Sequence, residues 1–514
     1  MIIDSFDAGA AASPDRIFVQ GGNLRLSYHE AADASHAVAA ALVRDVQPGT
    51  HVAVLSPNHP MVLPAMLGVM RSGAVFVPLN ARDPIEDIIW FAKFCEVAVL
   101  ICHEQYTPHL ERLKQEIPTL KRVIGLTRPL EQEGNCIAQW VKDFAGQRVT
   151  VRREADDIAI IKSSGGTTGR PKAIMQSHRS LETAYRISNQ FTPPRKDPVH
   201  LVVAPLTHAA GATMVALARI GARNVIAPSA DPGVILEAIE RERVTHIFLP
   251  PTMIYRLLAH PDALTRDCSS LEYVLYGAAP MSVDKLREGL ARWGQVFMQS
   301  YGQSEVPGVI TCLSRKDHFV HDDPDLDKHL ASAGRPSGAC EVALMDDAGN
   351  IVPTGERGEI VARGDLVSPG YYNNPEATAE ARAFGWHHTG DVGRFEADGY
   401  LHYVKRKPEK ELIKPGGENV YPAEVETVIV QMPAVTGVCV YGVPDPRWGE
   451  AVKAVVEVAG GARPSAQQVT DFVGERIARF KRPQVVVFTD ALPRAADGAV
   501  DRDAVKARWG DGRE

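Results

Sequence analysis

Short, wholly apolar runs alternate with longer segments of helical spacing through the first 300 residues, and no other feature limits the fold as strongly. Residues 31–44, 61–70, 84–94 and 107–115 have helical spacing, with strand-like runs at 51–55, 74–78, 97–101 and 122–126. The pattern resumes with strands at 201–204, 224–227, 246–249, 271–276 and 296–299 and helices at 232–243 and 283–292. A strand apolar on both faces must be covered on both, which predicts a parallel sheet between helical layers. The fold class expected is therefore α/β, with two α/β layers in tandem.

From about residue 331 the texture changes. Runs at 341–345, 358–363, 392–396 and 400–403 are parted by Gly/Asp turns, which predicts a small antiparallel β-subdomain over about 331–404. Lys405–Glu411 is a charged run containing Pro408 and reads as a linker or a plain solvated loop. Residues 412–514 carry the helix and strand signals of a small α/β unit. The expected division is a large N-terminal domain at 1–404, a linker at 405–411 and a C-terminal domain at 412–514.

Composition narrows the class. A chain of 514 residues is too long for a single core. The net charge of −7 argues against general nucleic-acid binding, which needs a basic face. Seven scattered cysteines without a C-x-x-C point to neither a zinc site nor a disulfide framework, and fit a reducing compartment. Met1-Ile2-Ile3-Asp4 lacks a basic n-region, and the apolar stretch 61–78 is broken by Pro64, Arg71 and Gly73. The expectation is a soluble, cytoplasmic protein with no membrane span.

Between the two layers lies Ser163-Ser164-Gly165-Gly166-Thr167-Thr168-Gly169-Arg170-Pro171-Lys172. The glycines let backbone N–H groups approach a ligand, the hydroxyls add donors, and Arg170 and Lys172 add positive charge, a set suited to a polyphosphate. It is not a Walker A loop, whose lysine directly follows glycine and opens a helix. Here strand-like residues 157–162 and 173–175 flank the loop, so a strand–loop–strand corner is expected.

The run Gly-Gly-Thr-Thr-Gly-x-Pro-Lys resembles the phosphate loop of the adenylate-forming superfamily: acyl-CoA synthetases, peptide-synthetase adenylation domains and beetle luciferases. Further motifs follow in that family's order over nearly the whole chain, closest to the acyl-CoA synthetases. They are Pro205-Leu206-Thr207-His208, Tyr276-Gly277-Ala278-Ala279-Pro280, Gln299-Ser300-Tyr301-Gly302-Gln303-Ser304-Glu305, His388-Thr389-Gly390-Asp391, the 405–414 run, and Gly416-Gly417-Glu418-Asn419-Val420-Tyr421-Pro422.

The resemblance implies roles. Ser164, Gly165, Gly166, Thr167, Thr168, Gly169 and Lys172 would hold phosphates. Gly277, Ala278 and Ala279 would wall the adenine, Tyr301 beside Gly302 would stack on it, and Gln299 would touch its edge. Ser304 would donate to the α-phosphate and Glu305 would bind Mg²⁺, a hard cation suited to one carboxylate plus phosphates. Asp391, as an acceptor-only carboxylate, would take both ribose hydroxyls, and Arg406 would contact the nucleotide. Relative to the family's hinge motif this chain carries two extra residues, Pro408-Glu409, which places the pivot within Lys407, Pro408, Glu409 and Lys410. Gly416, Gly417 and Glu418 would approach the CoA arm, and the C-terminal domain would be mobile. A metal site at His387, His388 and Asp391 is disfavoured, because adjacent strand residues face opposite ways.

The acyl pocket would be lined by His208, Ala209, Gly211, Thr213, Met214, Val215, Tyr276, Gly277, Ala278, Gln303, Val306, Pro307 and Gly308. These are mostly small and apolar with no arginine for a second carboxylate, which implies a hydrophobic aryl, alicyclic or fatty monocarboxylic acid. The last motif, Pro493 to Arg502, fits at Pro493, Gly498 and Arg502 but holds Ala499 where the family has lysine. The replacement reads as a deliberate Lys→Ala exchange, a natural inactive relative being the other reading, with the adenylation half-reaction weakened. The implied activity is an ATP-dependent acid–CoA ligase acting through acyl-AMP, with ATP, Mg²⁺ and CoA. Loading of a carrier protein, luciferase-like oxygenation and non-catalytic binding of acyl-AMP or acyl-CoA are the competing readings. A homodimer is left open.

Overall fold

The computed structural model describes residues 1–131, 134–164, 171–194, 197–206, 209–319, 324–406, 411–458, 464–494, 500–510 and 512. The first of its sheets has seven strands in the order Gly370–Tyr371, Ala173–Ser177, Ile158–Ser163, Val75–Leu79, His51–Leu55, Val99–Cys102, Arg122–Gly125. The strands from Ile158–Ser163 to Arg122–Gly125 run parallel, whereas Ala173–Ser177 pairs antiparallel with Ile158–Ser163. The second has nine, ordered Arg335–Pro336, Val306–Leu313, Phe297–Gln303, Tyr273–Gly277, His246–Leu249, Val199–Val202, Arg223–Ile226, Ile17–Gly21, Leu24–Ser27. The two tandem layers expected from the alternation are present.

One core joins them. Val52, Phe76 and Ile160 from the first sheet meet Val202, Ile226 and Met298 from the second, with helical residues Leu42, Leu67, Leu181 and Met214 between them. Local signals fix the helix ends. The Ser27 hydroxyl accepts from the Glu30 N–H while the Glu30 carboxylate accepts from the Ser27 N–H, a reciprocal cap on Tyr28–Asp45. That helix packs on Val62–Arg71 at Gly68, where a Cβ would lie 2.5 Å from Val38.

The antiparallel subdomain is a four-stranded sheet, Glu341–Met345, Arg357–Arg363, His387–Phe395 and Leu401–Arg406. Its last strand is longer than expected. Lys405 pairs with Val392 and Arg406 with Asp391, so the linker expected to begin at 405 is still sheet through Arg406. The C-terminal unit has a three-stranded sheet, Val435–Asp445, Gly449–Val458 and Val485–Thr489, with its own core around Val425, Val440, Val452 and Val469. Among the described residues no helix is long and apolar enough to cross a membrane.

Candidate functional site

The stem of the phosphate loop is an antiparallel pair. Ser163 lies opposite Ala173, the Ser164 N–H donates to the Lys172 carbonyl at 2.7 Å, and the Lys172 N–H donates to Ser164 Oγ at 3.0 Å. The strand–loop–strand corner is thus present. Gly165, Gly166, Thr167, Thr168 and Gly169 lie outside the described residues. Lys172 Nζ stands 4.9 Å from the centre of the Tyr371 ring, and the Tyr371 hydroxyl donates to Glu305 Oε1 at 3.0 Å. The chain therefore brings one end of the loop to the residue expected to bind magnesium.

Ser304 and Glu305 form the tip of a tight hairpin in which Gln303 pairs with Val306. Two contacts hold the tip: the Gln176 amide donates to the Ser304 carbonyl at 2.8 Å, and the Ser368 N–H donates to the Glu305 carbonyl at 2.8 Å. The backbone that carries both side chains is thus tied to the first sheet through Gln176 and to the segment before Gly370 through Ser368.

The residues expected to hold the nucleoside come from three strands, Tyr273–Gly277, Phe297–Gln303 and His387–Phe395. The Tyr301 hydroxyl donates to Asp391 Oδ2 at 2.8 Å, joining residues 90 apart in the chain. Asp391 is 1% exposed, and its own N–H donates to Thr389 Oγ1. At Gly277 a Cβ would lie 2.4 Å from the Ser300 carbonyl oxygen, so only glycine fits there. Ala278 follows with φ of +66°, a left-handed backbone that alanine seldom adopts. Gln299 Oε1 is buried without a hydrogen-bond partner. A buried amide oxygen with no donor is costly unless a ligand supplies one, and an exocyclic amine of a base is such a donor.

Other expected residues fall in different places. Tyr276 is corrected: next to Gly277 on a strand it faces the opposite side, and its ring is 1% exposed in the outer core. Its hydroxyl is 2.8 Å from His318 Nε2, while His318 Nδ1 donates to the Ser314 carbonyl. It is no pocket wall. Val306 is 0% exposed in the core between the layers, Pro307 is buried, and Gly308 is exposed with a positive φ against Ala184. Gly211 packs so close to the Leu206 carbonyl that a Cβ would lie 2.1 Å from it. His208, the Ala209 and Arg406 side chains, Lys407, Pro408, Glu409, Lys410 and Ala499 lie outside the described residues.

His387 and His388 do point apart, His387 Nε2 towards Gln303 at 3.5 Å and His388 towards Glu359 at 2.9 Å and the Ala383 carbonyl at 3.0 Å. No cluster of three metal-ligating side chains occurs among the described residues. A single carboxylate, Glu305, suits a magnesium ion that arrives with phosphates.

The C-terminal unit presents its glycine turn to the larger domain. Gly416 and Gly417 both have positive φ, and a Cβ on Gly417 would lie 2.9 Å from Pro250. At Gly449 a Cβ would lie 2.6 Å from Thr252. Glu418 forms an ion pair with Arg82. Arg502 fastens the unit internally, bonding Glu426, Glu411 and the Val440 carbonyl. Arg494 and Val500 are bridged and close the segment that contains position 499.

The loop stem, the Ser304–Glu305 tip and the Tyr301–Asp391 pair together form a candidate site for a nucleotide. The chain belongs to the AMP-binding enzyme family, matching it over residues 6–372, with the family's C-terminal domain matched over 424–499. It is 37% identical over 508 residues to a feruloyl-CoA synthase of Amycolatopsis sp, covering 98% of this chain and 97% of the other. The amide bond synthetase McbA from Marinactinospora thermotolerans is 29% identical with a TM-score of 0.89, over 99% of this chain and 100% of that one. The o-succinylbenzoate CoA synthetase MenE from Bacillus subtilis, 26% identical over 98% of this chain and 97% of its own, matches in two states. Its TM-score is 0.84 when bound with a product analogue, OSB-NCoA, and 0.69 in complex with the acyl-adenylate intermediate OSB-AMP.

Proposed function

We propose that this chain is an ATP-dependent acid–CoA ligase that converts a hydrophobic aryl, alicyclic or fatty monocarboxylic acid to its CoA thioester through an acyl-AMP. The observation that carries the reading is the Tyr301–Asp391 hydrogen bond beside the orphaned Gln299 oxygen, a set of groups matched to adenosine. In the first half-reaction a substrate carboxylate oxygen attacks the α-phosphorus of ATP and pyrophosphate leaves. The protein's part is to orient and to offset charge: Asp391 holds the ribose, Tyr301 and Gly277–Ala279 hold the base, and Ser164, Lys172 and Ser304 face the phosphates. Magnesium held by Glu305 would neutralise phosphate charge.

In the second half-reaction the CoA thiolate attacks the acyl carbonyl and AMP leaves. The division at 1–404 and 412–514, with a pivot within 407–410, belongs to this proposal. Docking of Gly417 on Pro250 supports an arrangement suited to thioester formation, and the better match to the product-analogue state of MenE agrees with it. Turning the 499 face inward would belong to adenylation, which Ala499 is expected to slow. The likeness to an amide bond synthetase favours a second reading in which an amine takes the acyl group.

The test offers aryl, alicyclic and fatty acids with MgATP and either CoA or an amine, read by mass spectrometry, for this chain and its Ala499→Lys variant. A thioester from one acid class supports the proposal. An amide formed without CoA replaces it with the second reading. Product from neither variant, with ATP bound and released unchanged, points to a binding protein.

A further inference from the structure

The penultimate residue of the strand that leads into the phosphate loop is a lysine for which the site described above has no use. Lys162 pairs with Ile174 across the antiparallel stem, and Ile160 with Gln176, so these four residues share one face. On that face Ile174 packs on Tyr371, whose hydroxyl reaches Glu305, and Gln176 reaches the Ser304 carbonyl. Lys162 is thereby directed at the Ser304–Glu305 tip, immediately before the Ser163–Lys172 run. It is partly buried and makes no ion pair with a described residue. Burial lowers its pKa from the ordinary lysine value, and the Glu305 charge opposes that only through space. An ammonium removed from water without a contacting counter-ion is unfavourable unless an anion arrives to meet it.

Resting on the proposed ligase reading, we propose that Lys162 is a further cation of the phosphate site, meeting the negative charge where the substrate carboxylate joins the α-phosphate. It would supply from the larger domain the charge that position 499 lacks. Lys162 transfers no proton in this step: the carboxylate oxygen–phosphorus bond forms, the bond to pyrophosphate breaks, and the ammonium stays protonated.

The test measures acid-dependent exchange of labelled pyrophosphate into ATP by the full chain, with calorimetric binding of MgATP alongside. Lys162→Met is expected to lower exchange by about 10²–10³-fold, Lys162→Arg by far less, and Ala499→Lys in the Lys162→Met background to recover most of the loss. Exchange by Lys162→Met within twofold of the parent overturns the proposal while leaving the ligase reading intact. Absence of pyrophosphate exchange with any acid in both the parent and its Ala499→Lys variant, each binding MgATP, overturns both. Should Lys162→Met fail to fold, acetylation mapping of the unaltered chain decides. Protection of Lys162 by MgATP supports the assignment, and equal labelling with and without MgATP refutes it.

Discussion

Gly417→Ala should separate the two half-reactions. Gly417 has φ of +86°, and its missing Cβ would sit 2.9 Å from Pro250 Cβ and 3.0 Å from Pro250 Cγ. Carbon atoms in contact prefer about 3.5–4.0 Å, so alanine needs a shift of roughly half an ångström or more. Pro250 can give little, because its ring is stiff and it caps the helix Pro251–Ala259. Two costs follow. The left-handed backbone costs about 1–2 kcal/mol for alanine in any domain arrangement. The overpacking costs about 1–3 kcal/mol, and only when the glycine turn is docked. Docking should therefore weaken by about fivefold to about 150-fold. The assay supplies preformed acyl-AMP and CoA in single turnover and compares the rate with pyrophosphate exchange. The expected result is a thioester rate reduced by that factor, with exchange reduced less than about threefold. Equal losses in both, or an unchanged thioester rate, would refute the docking argument.

Asp391→Asn removes a charged acceptor that the Tyr301 hydroxyl already uses, and hydrogen bonds to charged groups are worth about 1.5–3 kcal/mol; kcat/KM for ATP should fall about 10- to 100-fold, and a change below threefold would exclude Asp391 from the ribose site. Glu305→Gln keeps an acceptor for Tyr371 but loses the metal's anionic ligand, so a magnesium titration should shift to higher concentration, and an unshifted curve would place the ion elsewhere. Stability should fall in acid. Burial pushes His200 and His318 down to about 4 and His246 to about 3, against about 6.5 unfolded. These rings are neutral in the fold, so the unfolded chain binds more protons below pH 6.5. Their contribution is complete above that pH and is lost as pH falls towards 4, by roughly 3 kcal/mol for each ring. Thermal melts from pH 7 to pH 4 should show the midpoint dropping, and His318→Gln should shallow that slope; a flat profile would contradict the burial account.

Much of this was legible because apolar alternation and glycine spacing are local properties. The strands at 51–55 and 246–249 lie where the pattern put them, and the hairpin stem of the loop follows from the strand-like residues on either side. Tyr301 and Asp391 could be named one by one, but their hydrogen bond depends on how the second sheet meets the antiparallel subdomain. Tyr276 was misplaced through neglect of strand alternation: next to a glycine that faces the site, it must face away. The strand Val306–Leu313 escaped notice because Pro307 and Gly308 interrupt its pattern; both sit at its start, away from Thr311 and Cys312 where the outer strand Arg335–Pro336 pairs with it. Lys162 carried no signal as a residue type. Only its register opposite Ile174 shows what it faces.

The central claim is an acyl-AMP on the path to the thioester. Its most direct test uses a carboxylic acid labelled with heavy oxygen in both carboxylate positions, with MgATP and CoA, and mass analysis of the nucleotide released. The account predicts AMP carrying one heavy oxygen, since the carboxylate oxygen that attacks phosphorus leaves with it. Unlabelled AMP, or ADP as the product, would contradict it.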